Sequence, residues 1–209
     1  MQGQRRSQSE RSAATRRALH AAARRLWAEH GYAAVSTPEI ARAAGVTRGA
    51  MYHQYADKAA LFRAVLEALD ADVIDRLQAV VAAAQPKTPA DTMHALADAW
   101  LDIAGEPEIR QIMLLDAPSV IGWTEYREMS QQNSVARAEE LLNAAIEAGQ
   151  LKPQPLRPLA LVLLGALEEA AMYLARAENP DQAREEARAV VRDLIDGLLR
   201  PSPSRGARR

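Results

Sequence analysis

Apolar residues recur three and four positions apart along most of this 209-residue chain, with polar residues between them. That period marks amphipathic helices. Leu19, Ala22, Ala23, Leu26 and Trp27 share one face and predict a helix over Thr15–His30, ended by Gly31. Leu61, Phe62, Val65, Leu69, Val73, Leu77 and Val80 predict a long helix over Lys58–Ala84. The stretch Gln85-Pro86-Lys87-Thr88-Pro89 interrupts the pattern. Further helices are predicted over Ala90–Ala104, Pro107–Leu115, Glu125–Ala148, Arg157–Ala177 and Pro180–Leu199, separated by glycines and prolines. Abundant Ala and Leu, with only 4% aromatic residues, favour the same all-α reading.

The most informative stretch is Ser36 to Lys58. Ser36 or Thr37 can cap a new helix, and Pro38 suits its first turn. Ile40, Ala41 and Ala44 share a face, and Gly45 can take the left-handed conformation that ends a helix. Thr47 is a second cap, opening a short helix through Met51 and Tyr52. Two short helices joined by a tight turn are the plan of a helix-turn-helix, whose second helix enters the major groove of DNA. Thr37, Thr47, Arg48, Tyr52, His53 and Gln54 supply polar groups on the outer side, and Gly49 and Ala50 leave room for a close approach to bases. Lys58, at the start of the next helix, is expected to hold a phosphate. The bland alternative is a helical hairpin with a solvated polar face.

These residues, with Ala21–Tyr32 before them and Tyr55-Ala56-Asp57-Lys58-Ala59-Ala60-Leu61-Phe62 after, resemble the DNA-binding domain of the tetracycline-repressor (TetR) family. The resemblance covers about the first third of the chain. It departs at Tyr55, where the family usually has Phe, and this should only add a hydroxyl at a core edge. It implies a three-helix DNA-binding domain followed by a helical ligand-binding and dimerisation domain. It implies a homodimer on a double-stranded palindromic operator and a small-molecule effector. No cofactor and no metal are expected. The domain plan is a basic arm over 1–14, the DNA-binding domain over 15–62, the helical body over 63–200 and a tail over 201–209.

Charge sharpens this division. Residues 1–58 hold 10 Lys+Arg against 4 Asp+Glu, a net +6, and the remainder holds 16 against 23, a net −7. Only the first third is thus suited to a polyanion. Arg5, Arg6 and Arg11 fit either a DNA-tracking arm or a solubilising tail, and Arg24 and Arg25 either phosphate contacts or a solvated face. Cysteine is absent, which removes disulfides and thiol chemistry. His20, His30, His53 and His94 show no metal-ligand spacing, and no nucleophile elbow, phosphate loop or dinucleotide glycine pattern occurs. An enzyme is therefore not expected. The longest apolar run, Leu159–Leu167, is shorter than the about 20 residues a membrane span needs. No secretory signal is visible, so a cytoplasmic location is expected.

In the body, Met93, His94, Trp100, Met113, Asp116, Trp123, Tyr126, Met129 and Tyr173 are candidate effector contacts. Large aromatic and Met side chains suit an apolar pocket, with His94 and Asp116 as polar anchors, and the same types suit an ordinary core. Leu159, Leu163, Ala166 and Ala170, with Val191, Leu194, Ile195 and Leu198, form two stripes suited to a two-fold four-helix interface. Two other functional classes compete: a small-molecule-binding protein or enzyme whose basic head is incidental, and an interaction protein that uses the stripes alone.

Overall fold

The computed structural model describes residues 8–132 and 134–199. The described residues are helical, with no strand among them. Among the described residues the α-helices run in chain order: α1 Gln8–Ala34, α2 Thr37–Ala43, α3 Arg48–Gln54, α4 Lys58–Ala84, α5 Pro89–Ala104, α6 Ala117–Val120, α7 Trp123–Gln132, α8 Ser134–Glu147, α9 Leu156–Arg176 and α10 Pro180–Leu198. A π-helix, Ile109–Asp116, lies between α5 and α6.

The chain forms two compact units. The head holds the described residues up to Ala71 together with Pro107–Trp123, and the body holds Asp72–Glu106 and the described residues from Thr124. The expected boundary near residue 62 falls later, and the segment 107–123, expected in the body, packs with the head. Its reason is visible in α1. Arg24 donates through both arms of its guanidinium to Glu108, with Nη2 at 2.9 Å from Oε2, and the π-helix packs along α1. Arg24 is thereby tied to the protein, whereas Arg25 stays exposed in a loose pair with Glu29 at 3.7 Å.

Helix α1 starts earlier than expected, so residues 8–14 of the expected arm are helical and Arg11 lies on a helix. Arg5 and Arg6, and the expected tail, lie outside the described residues. Gly31 breaks α1 with φ 75° and ψ 163°, a region essentially reserved for glycine. Helices α1, α2 and α3 pack on one another around Leu19, Trp27, Ile40 and Met51, and Leu61, Phe62 and Leu66 of α4 are as fully buried. The Trp27 and Tyr32 rings meet Phe62 at 5.2 and 5.0 Å between centroids. Burial of each such large side chain is worth about 1.5–3 kcal/mol, enough to hold the short helices α2 and α3 in place.

The body core joins α5, α8, α9 and α10 through Met93, Ala97, Leu101, Leu142, Ala145, Leu174, Ala187 and Val191. Ion pairs line the α5–α10 seam. Arg188 reaches Asp98 at 3.3 Å and Asp102 at 2.7 Å, and Arg192 reaches Asp98 at 2.5 Å. One helix is expected over Glu125–Ala148, and the described residues on either side of position 133 are helical, as α7 and α8. Ser130 and Ser134 donate their hydroxyls to the carbonyls of Arg127 (3.2 Å) and Ser130 (2.5 Å).

The run Leu159–Leu167 lies within α9. The nine-residue run Leu159–Leu167 is short, but the whole helix is long and apolar enough to cross a membrane by length and composition alone. It packs on α5, α8 and α10, and it carries Arg157, Glu168, Glu169 and Arg176. Its outer face is exposed, with Val162 at 65%.

Candidate nucleic-acid interface

Local chemistry builds the helix-turn-helix in detail. Ser36 and Glu39 form a reciprocal capping box: the Ser36 N–H donates to Glu39 Oε2 at 2.7 Å, and the Glu39 N–H donates to Ser36 Oγ at 3.4 Å. The Gly45 N–H donates to the Arg42 carbonyl, and Val46 turns back to the Ala41 carbonyl at 3.0 Å, with Gly45 at φ 67°. Thr47 then caps α3 by accepting from the Ala50 N–H at 3.1 Å. Only Met51 of α3 is buried, so the rest of this short helix faces outward or flanks the core.

On that outer side, Thr37 Oγ1 and the Tyr52 hydroxyl lie 3.1 Å apart, and the Arg48 guanidinium stacks over the Tyr52 ring at 5.5 Å. The hydrogen bond with Thr37, followed by that with Arg48, holds the Tyr52 hydroxyl below its usual pKa. Thr37, Arg48 and Tyr52 therefore form one exposed patch across α2 and α3. A guanidinium fork in such a patch can grip a guanine edge or a phosphate. Gly49 meets no part of the protein closely, so the space above it is open to a ligand. Thr47 and His53 are exposed, and Ala50 is half-buried.

Two expected DNA contacts are occupied within the protein. Gln54 Oε1 accepts from Ser12 Oγ at 2.9 Å and faces Arg16 Nη1 at 3.5 Å, which leaves its amide N–H groups as the outward donors. Lys58 Nζ donates to the Tyr32 carbonyl at 2.5 Å and sits 4.0 Å from the centre of the Tyr32 ring. Burial lowers the pKa of Lys58, against the opposing charges of Asp116 and Glu39. Ser12, His20 and Tyr55, which with Arg16 bind α1 to the end of α3, were not singled out in the sequence as interface residues. Their signal was the i, i+4, i+8 spacing of Ser12, Arg16 and His20 on one face of α1.

The expected effector contacts divide between the units. Met113, Asp116 and Trp123 belong to the head, where Met113 is buried, Asp116 accepts from the Tyr32 N–H and Trp123 is 59% exposed. Met93, His94, Trp100, Tyr126, Met129 and Tyr173 belong to the body. Met93 and Tyr126 are buried and Met129 half-buried. His94 Nε2 meets Asp196 Oδ1 at 2.9 Å, and Tyr173 donates its hydroxyl to Glu186 at 2.6 Å. The Trp100 indole donates to the Leu167 carbonyl at 3.1 Å. A residue passed over in the sequence lies beside that carbonyl in the chain: Glu168 pairs through Oε2 with Arg127 Nη1 at 2.8 Å, and its Oε1 is buried without a hydrogen-bond partner.

The expected interface stripes also shift. Val191 and Ile195 are buried in their own body core, and Leu159, Leu163, Ala170 and Leu198 pack partly against it, while Ala166 is half-buried. The exposed apolar positions are Val162 and Tyr173 on α9 and Val190 and Leu194 on α10. One residue turns a helix by about 100°, which carries Val191 and Ile195 inward and leaves Val190 and Leu194 outside.

Two family models match separate parts of the chain. The family model described as "Bacterial regulatory proteins, tetR family" matches residues 19–65, and that described as "Tetracyclin repressor-like, C-terminal domain" matches residues 90–198. A TetR-family transcriptional regulator from Pectobacterium atrosepticum is 33% identical, with TM-score 0.81, covering 94% of this chain and 100% of that one. The HTH-type transcriptional repressor Rv1474c of Mycobacterium tuberculosis is 30% identical over 191 residues, 91% of this chain and 95% of that protein. The HTH-type transcriptional regulator AcrR of Shigella flexneri is 28% identical over 193 residues, 88% and 89% of the two chains.

Proposed function

Because the chain belongs to the tetracycline-repressor family of transcriptional regulators, we propose that it acts as a homodimeric repressor of a palindromic operator, released by a small apolar effector. DNA-binding transcriptional regulation comes with the family. The observation that carries the fuller reading is the exposed Thr37–Arg48–Tyr52 patch on a capped helix-turn-helix. Arg48 reads a base edge, and Tyr52 and His53 meet the neighbouring backbone.

A single head covers one half-site. Two heads reading successive major grooves on one side of the duplex stand about 34 Å apart, which calls for a two-fold dimer. The exposed residues Val162, Tyr173, Val190 and Leu194 supply an apolar face on α9 and α10 for a second copy. A Cβ at Gly165 or Gly197 would meet nothing within 4 Å, so neither glycine is covered by its own subunit.

The effector reading rests on the body. Its interior is apolar, and Glu168 offers one carboxylate oxygen without a partner. A mainly apolar molecule with a hydrogen-bond donor suits those groups. It releases the operator by binding the non-DNA state better, with a coupling of about 1–3 kcal/mol. The test begins with selection of bound duplexes from a random-sequence library, followed by affinity at two salt concentrations. A regulator enriches a palindrome and its affinity falls steeply with salt. Absence of any enriched sequence would leave the small-molecule-binding or enzyme reading in its place. A screen of apolar compounds for release of the enriched duplex then tests the effector, and Glu168→Gln should weaken the response without weakening DNA binding.

A further inference from the structure

The turn that joins α1 to α2 is held from both sides at one residue. On one side, the backbone N–H of Tyr32 donates to Asp116 Oδ2 at 2.8 Å. On the other, the carbonyl of Tyr32 accepts from Lys58 Nζ at 2.5 Å, and the same ammonium sits over the Tyr32 ring at 4.0 Å. Asp116 ends the π-helix, and Lys58 begins α4. Three elements distant in sequence thus converge on one peptide unit. The approach is close as well. A Cβ on Gly31 would come within 3.2 Å of Gln111 Nε2 and 3.8 Å of both Asp116 carboxylate oxygens.

The position of this turn matters for DNA. Tyr32 is followed within five residues by Ser36, the cap of α2, and Thr37. Thr37 in turn bonds the Tyr52 hydroxyl beside Arg48. A shift of the turn therefore moves α2 and, through Thr37, the patch that meets the bases. Both groups on Tyr32 are charge-assisted partners, which are the stronger class of hydrogen bond. Lys58 is drawn inward enough for burial to lower its pKa, and the Asp116 carboxylate offsets part of that cost by its charge.

We infer that Asp116 is a positioning residue for operator recognition and that Lys58 is its counterpart, a strut on the Tyr32 carbonyl. This inference rests on the proposed regulator function. It assigns a role in DNA recognition to a segment, Pro107–Trp123, that the chain inserts between two body segments. Specific binding needs both recognition helices in one pose, whereas non-specific binding needs only positive charge near phosphates. A positioning residue therefore affects the first and spares the second.

The experiment uses the full chain and the palindrome enriched from a random-sequence library, with mixed-sequence DNA as the second probe. Asp116→Ala is expected to lower affinity for the palindrome by about tenfold or more, with mixed-sequence affinity and salt slope as in the wild type. Asp116→Asn retains an oxygen that can accept from the Tyr32 N–H, and should restore most of the loss. Lys58→Met should also weaken the palindrome by more than it weakens mixed-sequence DNA. The inference fails if Asp116→Ala binds the palindrome as the wild type does, or loses both probes in equal proportion. It fails too if Asn rescues nothing, or if Lys58→Met weakens both probes in equal proportion. Should Asp116→Ala not fold, the Asn and Lys58 variants decide the matter. If the wild type enriches no sequence at all, the regulator reading falls and takes this inference with it.

Discussion

The His20 Nε2 and the Tyr55 hydroxyl lie 2.6 Å apart, so α1 is hydrogen-bonded to the residue that closes the recognition helix. Burial keeps the Tyr55 phenol protonated by raising its pKa, against a smaller lowering by Arg16. Burial, then the charges of Arg24 and Arg16, push the pKa of His20 below its ordinary 6.5. The neutral imidazole and the phenol can each donate to the other, according to the imidazole tautomer. The hydroxyl that sets Tyr55 apart from the usual Phe is thus one partner of an interhelical bond.

This pair should give the head an acid-sensitive stability. A histidine with a lowered folded pKa takes up its proton more readily in the unfolded chain. Its contribution is complete above pH 6.5 and is lost as pH falls through that value toward the lowered folded one. Denaturant titrations on either side of this range should show a larger loss for the wild type than for His20→Gln. Tyr55→Phe should cost about 1 kcal/mol at neutral pH. Equal acid losses in wild type and His20→Gln would assign the sensitivity elsewhere.

Arg48→Ala should cost about 1–3 kcal/mol on the enriched palindrome and relax the preference at one position in each half-site. Tyr52→Phe keeps the ring under Arg48 but removes the link to Thr37. It should give a smaller loss at the same position. Quantitative binding to single-base variants of the palindrome reads both effects. A uniform loss across all sequences would place Arg48 on a phosphate.

Gly31→Ala should destabilise the head by about 1–3 kcal/mol, because an L side chain is strained at φ 75° and ψ 163°. The new methyl also presses on Gln111 Nε2, which must give way. Thermal unfolding followed by circular dichroism measures this. By contrast, Gly165→Ala meets nothing within its own subunit and should leave the isolated fold unchanged.

Val162→Glu and Leu194→Glu place a charge on the exposed faces of α9 and α10. Each should yield a folded monomer in sedimentation and weaken palindrome binding. Val191→Glu is expected to unfold the body instead, because its side chain lies in the core and an unpaired buried charge costs several kcal/mol. A Leu194→Glu protein that stays dimeric would move the interface off this face.

Short-range patterns fix much of what this chain is, and they are legible without coordinates. Ser36, Pro38, Gly45 and Thr47 act within a few residues of themselves, through caps and a left-handed turn, so the helix-turn-helix and its family resemblance could be read directly. The helical period likewise marked α4, α5, α9 and α10 close to their observed ends. Tertiary structure decided what each polar group faces. Asp116 and Tyr32 are 84 residues apart, and no periodicity links them, yet they share a hydrogen bond. The same holds for Arg24 and Glu108, whose pairing accompanies a segment expected in the body that packs with the head. An apolar stripe shows that a helix has a buried side but not where its edge falls. One residue of rotation places Val191 in the core and Val190 outside, and that angle is set by the helices packed around α10 rather than by α10 itself.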